Sequence, residues 1–174
     1  MKKLYFLLLI LILQACTPAT LDNITPYTMK MTSPSFSDGE EMPSEFTCDS
    51  EDVNPKLNIV EVPDATKSLA LIVDDPDAPG GTWVHWVVWN IEASTTKIER
   101  NSVPQGAIQG LNDSKINKWS GPCPPSGAHR YYFKLYALDQ APTLSSNSSK
   151  KDLEKAMEGH ILDQATLMGT YSRK

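Results

Sequence analysis

Short apolar runs, each ended by proline, glycine or aspartate, dominate the middle of the chain. Ser68-Leu69-Ala70-Leu71-Ile72-Val73 closes on Asp74-Asp75-Pro76 and predicts a buried strand. Residues 83–91 predict a second strand. With a period of two, Trp83, His85, Val87 and Trp89 share one face, and Val84, Trp86, Val88 and Asn90 share the other. Both faces are largely apolar, so this strand is expected to be central and covered on both sides. Residues 130–138 predict a third strand. There His129, Tyr131, Phe133, Leu135 and Ala137 share a face, opposite Arg130, Tyr132, Lys134 and Tyr136. Weaker β patterns cover 28–33, 56–62 and 167–172. One helix is predicted. Ser149-Lys150-Lys151-Asp152 has the form of a capping box, and Leu153, Ala156, Met157 and Ile161 follow at helical spacing. Gly159 weakens the end of that helix and places His160 in its last turn, where a histidine suits the dipole better than a ligand. Short strands separated by turns, with one helix, indicate a mainly β fold of sandwich type.

The N-terminus follows a different pattern. Met1-Lys2-Lys3 is basic, residues 4–13 are apolar apart from Tyr5, and Leu13-Gln14-Ala15-Cys16 has the form of a bacterial lipobox. The expectation is a signal peptide over 1–15, cleavage before Cys16, diacylation of its thiol, a tether over 16–28 and a folded domain over 29–174. The alternative is an ordinary signal peptide with an incidental cysteine. Two or more acyl chains anchor a protein stably, where one binds marginally. Thr17 is not the aspartate of an inner-membrane retention signal, so the expected location is the outer membrane, facing the periplasm. The full chain carries a net charge of −5. Losing Lys2 and Lys3 makes the mature domain more acidic still, which argues against nucleic-acid binding. No basic cluster follows Cys16, so lipid rather than charge is expected to hold the protein at a membrane. Cys48 and Cys123 remain. Outside the inner membrane an even pair is a candidate disulfide, and two free thiols are the alternative.

The chemistry concentrates in two segments. Asp74-Asp75-Pro76-Asp77-Ala78-Pro79-Gly80-Gly81-Thr82-Trp83-Val84-His85 and Gly121-Pro122-Cys123-Pro124-Pro125-Ser126-Gly127-Ala128-His129-Arg130-Tyr131 are Pro/Gly-rich turns that each deliver a histidine to the start of a strand. The chain has three histidines, so two in matching settings point to one pocket. Proline fixes the backbone around Asp75 and Asp77, and Gly80-Gly81 leaves N–H groups open to a ligand. Asp74 is expected only to cap its own turn. A carboxylate beside a histidine raises the imidazole pKa, and a protonated histidine holds an anion; burial acts the other way. Both outcomes stay open at this point.

Asp75-Pro-Asp-Ala-Pro, Trp83-Val-His85 and Gly-Ala-His129-Arg-Tyr131 resemble the phosphatidylethanolamine-binding proteins, in particular their bacterial Raf-kinase-inhibitor-like branch. The likeness continues through Phe46-Thr47-Cys48-Asp49, Gly121-Pro-Cys-Pro-Pro125, Gly159-His160-Ile161-Leu162 and Gly169-Thr170-Tyr171, and spans nearly all of residues 30–174 in order. It implies a sandwich of two antiparallel sheets with a few short peripheral helices, and a small surface pocket for phosphate-bearing or similar anions. It carries the ligand-binding role to Asp75, Asp77, Trp83, His85, Pro124, Pro125, His129 and Tyr131. The proline loop before His129 differs in length from the eukaryotic branch, and the eukaryotic C-terminal helix has no counterpart, so binding to Raf-type kinases is not carried over.

Three functions remain in view. The leading one is a binding module for a small anion or phosphorylated head group, modulating a partner such as a kinase or protease. A hydrolase would use Asp75, His85 and His129 for acid/base work, but Ser126 lacks a nucleophile-elbow context and Cys123 is a disulfide candidate. No catalytic residue is assigned. No H-x-x-H or H-E-x-x-H spacing marks a metal site, and no cofactor is expected. The third reading is an interaction lipoprotein with a vestigial pocket.

Overall fold

The structure is a computed structural model and describes residues 28–173. The expected signal segment, Cys16 and nearly all of the tether lie outside the described residues. Strands run over Lys30–Thr32 (β1), Leu57–Val60 (β2), Ser68–Asp75 (β3), Trp83–Glu92 (β4), Lys97–Ile98 (β5), Ile108–Gln109 (β6), Ala128–Leu138 (β7) and Ile161–Ser172 (β8), with one α-helix, α1, over Lys150–Met157. They form two antiparallel sheets, β1-β2-β5 and β6-β4-β3-β7-β8. The two-sheet architecture and the mainly β class are those expected.

β3 explains the layering. Leu69, Leu71 and Val73 enter the larger core, where they meet Met31, Leu57, Ile59 and Ile98 from the small sheet. Ala70 and Ile72 point the other way, into a second core closed by Leu153 and Met157 of α1. All eight residues of β3 are buried. Each buried aliphatic side chain contributes roughly 1.5–3 kcal/mol, so a strand used on both faces is the main source of cohesion. The alternation continues to its end. Asp74 emerges on the α1 side, fully buried, with Lys134 Nζ at 2.8 Å and Lys150 Nζ at 2.6 Å. It therefore ties α1 to the sheet, which corrects the expectation from sequence that Asp74 only caps its own turn. Asp75 emerges on the other side.

β7 keeps its predicted faces, with Tyr131, Phe133, Leu135 and Ala137 in the larger core. β4 does not. Opposite β3 it carries an extra residue twice: once where Leu69 and Leu71 face Ile91 and Val88, and once where Val73 and Asp74 face Trp86 and Val84. Each bulge reverses the pleat. Val84 thus joins Val87 and Trp89 in the helix-side core, and Trp86 and Val88 join the larger one. His85 is the extra residue of the second bulge, and Asn90 adopts φ 56° beside the first.

The helix ends earlier than its apolar spacing predicts. The Ser149–Asp152 capping box is present. After Met157, however, Gly159 turns the chain at φ 78°. His160 then lies in the connection and pairs with Asp139 through Nδ1 at 2.8 Å instead of serving the helix terminus. Ile161 opens β8, which begins well before residue 167 because it pairs along β7 from Ala128↔Ser172 to Leu138↔Ile161. Its first half is largely solvent-exposed, so pairing rather than apolar pattern creates it. The two-residue β5 and β6 had no sequence signal.

Replacing Asp74 with alanine is expected to leave Lys134 and Lys150 without their buried counter-charge. The expected loss is about 3 kcal/mol, read as a lower urea midpoint. An unchanged midpoint would contradict the bridging role.

Candidate functional site

The ends of β3, β4 and β7 converge beside the loops that precede β4 and β7. Asp75, Ala78, Pro79, Trp83, His85, Ser114, Ser120, Gly121, Cys123, Pro124, Pro125 and His129 line a cavity of about 270 Å3. Of the residues expected from sequence, Asp75, Trp83, His85, Pro124, Pro125 and His129 meet there. Asp77 and Tyr131 are not among the lining residues.

The two histidines are held differently. His129 Nδ1 lies 2.7 Å from Asp75 Oδ2, and both side chains are buried. A carboxylate accepts, so Nδ1 carries the proton and Nε2 is the nitrogen left for a ligand. Asp75 also accepts the Asp77 N–H through Oδ1 at 2.8 Å. Asp75, not Asp74, is therefore the turn-capping aspartate, and it fixes the loop and the imidazole together. His85 has no carboxylate partner. Its Nδ1 lies 2.5 Å from the Ser120 carbonyl, and its own carbonyl accepts from Ser120 N and Asn112 Nδ2, both at 3.2 Å. Asn112 also donates to the Lys118 carbonyl and accepts the Ile116 N–H. Segment 112–120 is thus pinned to the bulge of β4, and the bulge aims the imidazole inward.

Burial lowers the His85 pKa below its usual 6.5; the Ser120 carbonyl and Asp75 oppose this. The balance left open by sequence resolves toward a neutral His85.

Tyr131 lies behind both rings, its centroid 5.2 Å from His85 and 6.5 Å from His129. Burial holds its phenol above the usual range. Asp77 is clasped by Arg130, with Nε at 2.8 Å, the terminal nitrogen at 2.6 Å and the backbone N–H at 2.9 Å. Arg130 hydrogen bonding lowers the Asp77 carboxyl to about 2. This ion pair bolts the first loop to the start of β7. The expected glycine donors do not line the cavity, and Gly81 N–H is used within its own turn, on the Ala78 carbonyl at 3.0 Å. Trp83 is 42 % exposed at the mouth, an apolar rim on a polar interior.

The far wall is braced by a disulfide. Cys48 and Cys123 are bonded, with Cα atoms 5.4 Å apart across 75 residues of sequence. Cys48 N–H donates to the Pro122 carbonyl at 3.1 Å, and Gly121 N–H to Asp52 Oδ1 at 2.6 Å. A Cβ at Gly121 would collide with the Phe46 carbonyl and lie 2.6 Å from Asp52 Oδ1, so only glycine permits this approach. Ser114 and Ser120 escaped the sequence reading because residues 110–120 carry no period and gain their place through contacts distant in sequence.

Chemically the cavity offers imidazole nitrogens, serine groups and an aromatic rim. Cys123 is bonded and holds no free thiolate, and Ser126 does not line the cavity. Among the described residues no three His, Cys, Asp or Glu side chains are grouped to hold a metal ion.

Two measurements check this construction. Removing the bond with the paired Cys48→Ser and Cys123→Ser variant should cost about 2–5 kcal/mol in urea unfolding; a smaller loss would assign the wall to its hydrogen bonds alone. For His85, the folded pKa lies below the unfolded value, so the unfolded state takes up the proton first. Its stabilising contribution is complete above pH 6.5 and is lost as pH falls below it. The stability difference between wild type and His85→Gln should therefore shrink from pH 7.5 to pH 5. A constant difference would refute a neutral His85.

The family model of the phosphatidylethanolamine-binding proteins matches residues 32–172. A UPF0098 protein of Methanothermobacter thermautotrophicus is 48% identical over 150 residues, covering 83% of this chain and 99% of its own. A UPF0098 protein of Chlamydia pneumoniae is 43% identical with the same coverage. Among solved structures, the Chlamydia trachomatis phosphatidylethanolamine-binding protein homologue CT736 superposes with a TM-score of 0.82 at 38% identity, over 85% of this chain and 99% of that one. The YbcL protein of E. coli, a member of the mammalian PEBP family, superposes with a TM-score of 0.79 at 33% identity, over 84% and 99%. A match that runs from β1 to the end of β8, with relatives of nearly the same extent, shows that the chain belongs to the phosphatidylethanolamine-binding protein family.

Proposed function

We propose that this protein is a lipid-anchored binding protein of the bacterial cell envelope whose cavity takes the oxyanion end of a small ligand, such as a phosphorylated head group, without covalent chemistry. The observation that carries the reading is the convergence of His85 and His129 on one small cavity, each with Nδ1 engaged by the protein and Nε2 left over. The donor an oxyanion needs is the Nε2–H of His129 with both ring nitrogens protonated, its charge balanced by Asp75 behind it. The exposed Trp83 supplies an apolar edge for whatever the oxyanion is attached to. A volume of about 270 Å3 suits a head group rather than a whole lipid.

A bonded Cys123, and a Ser126 outside the cavity, favour binding over hydrolysis. The basic start, the apolar run over residues 4–13 and Leu13-Gln14-Ala15-Cys16 support export and acylation at Cys16, with the outer membrane as destination. In this reading the occupied pocket modulates a partner protein at the membrane.

The test is a two-dimensional NMR titration with inorganic phosphate, phosphoethanolamine and acetate. Saturable shifts centred on His85, Ser120, Gly121 and His129 are expected. No shift at millimolar ligand would overturn the reading.

A further inference from the structure

Val60, Trp83, Ile161 and Leu162 are the large apolar side chains exposed among the described residues. Trp83 rims the cavity. The other three meet at the opposite end of the sheets. Ile161 stands opposite Leu138, the last residue of β7, whereas His129 is the second residue of that strand. Leu162 is the extra residue of a bulge there, between Ile161 opposite Leu138 and Asp163 opposite Ala137. Val60 ends β2 opposite Lys30 of β1. Met29, beside Lys30, donates its N–H to Asp163 Oδ2 at 2.8 Å, which joins the two edges. His129 and Leu138 are nine steps apart along β7, so at about 3.4 Å per step the cavity and this apolar end are separated by roughly 30 Å.

We propose that the end of the domain bearing Val60, Ile161 and Leu162 seats on the lipid surface that holds the acyl chains, so that the cavity faces away from it. The inference rests on the acylation reading and adds an orientation. Exposed apolar residues scattered singly need no explanation. Three gathered from two sheets, at the point where the chain enters the domain, do. The occupant follows from that point of entry. From Cys16 to Met29 is thirteen residues, at most about 45 Å of chain when fully drawn out. Bringing the cavity to the lipid would use up most of that length in running past the sheet. The apolar end needs none of it.

The acidic chain does not oppose this contact. The carboxylates next to the three apolar residues are engaged: Glu61 with Lys30 at 2.9 Å, Asp139 with His160 at 2.8 Å, and Asp163 with the N–H groups of Met29 and Gln164. Acyl chains supply the affinity, and three aliphatic side chains need only choose which end of the domain meets the surface. The ligand of the cavity then arrives from the aqueous side and not from head groups of the anchoring leaflet. Trp83, at the far end, is left open to that same side.

The test places the mature acylated chain on nanodiscs of phosphatidylethanolamine and phosphatidylglycerol that carry a head-group spin label. Co-elution with the discs reads the anchor, and loss of NMR amide signal reads the orientation. Val60, Ile161 and Leu162 are expected to lose most of their intensity, while His85, Gly121 and His129 keep theirs. A variant combining Val60→Ser, Ile161→Ser and Leu162→Ser changes only exposed positions. It should stay on the disc through its acyl chains and lose the difference between the two ends. Greater loss at the cavity, equal loss at both ends, or an unchanged pattern in the triple variant would overturn the inference while the anchor stands. A wild-type chain that does not co-elute with the discs would withdraw the acylation reading and the inference together.

Discussion

A strand buried on both faces has no water to hydrate the groups at its end. β3 is such a strand, and it finishes in two consecutive carboxylates. The pleat sends them to opposite sides, and each must find its counter-group inside the protein. Asp74 finds Lys134 and Lys150, which fastens α1 over the second core. Asp75 finds His129 and the Asp77 N–H, which fixes both the histidine and the loop leading to β4. Helix docking and pocket geometry therefore share one origin, the central strand. The ion pair of Asp77 with Arg130 and the disulfide of Cys48 with Cys123 then close the site from the two sides that β3 does not reach.

Much of this architecture was legible because local patterns and tertiary demands agree. β7 shows the clean alternation that the sequence predicts, and it pairs with β8 in one register for nearly its whole length. The capping box at Ser149 is a local motif satisfied by local atoms. β8 was only half visible, since its exposed first half is held by ladder hydrogen bonds that favour no residue type. The end of α1 departs from its apolar spacing for a related reason. Ile161 stands at helical spacing, but Gly159 and the pairing of β8 with β7 outweigh a single apolar position.

The site was legible where residue types were distinctive and obscure where backbone carried the function. Two histidines at strand entries, flanked by prolines and aspartates, identified His85, His129 and Asp75. Nothing in their spacing distinguished one imidazole from the other. That distinction comes from Ser120, whose carbonyl takes the place at His85 that a carboxylate takes at His129. Asp77 and Tyr131 show the converse. Their residue types invite a ligand role, yet one carboxylate is committed to Arg130 and the phenol lies behind the rings.

The two bulges of β4 have a further consequence. Together they add two residues, one full pleat, so the two ends of the strand stay in phase and only the middle is inverted. Lengthening or shortening β4 by one residue at the second bulge would exchange the sides of Val84 and His85. That would put an aliphatic group into the cavity and an imidazole into the core beneath α1. Strand length is therefore as much a part of the binding site as any side chain in it. Insertions and deletions in this chain belong in the loops, or must come to β4 in pairs.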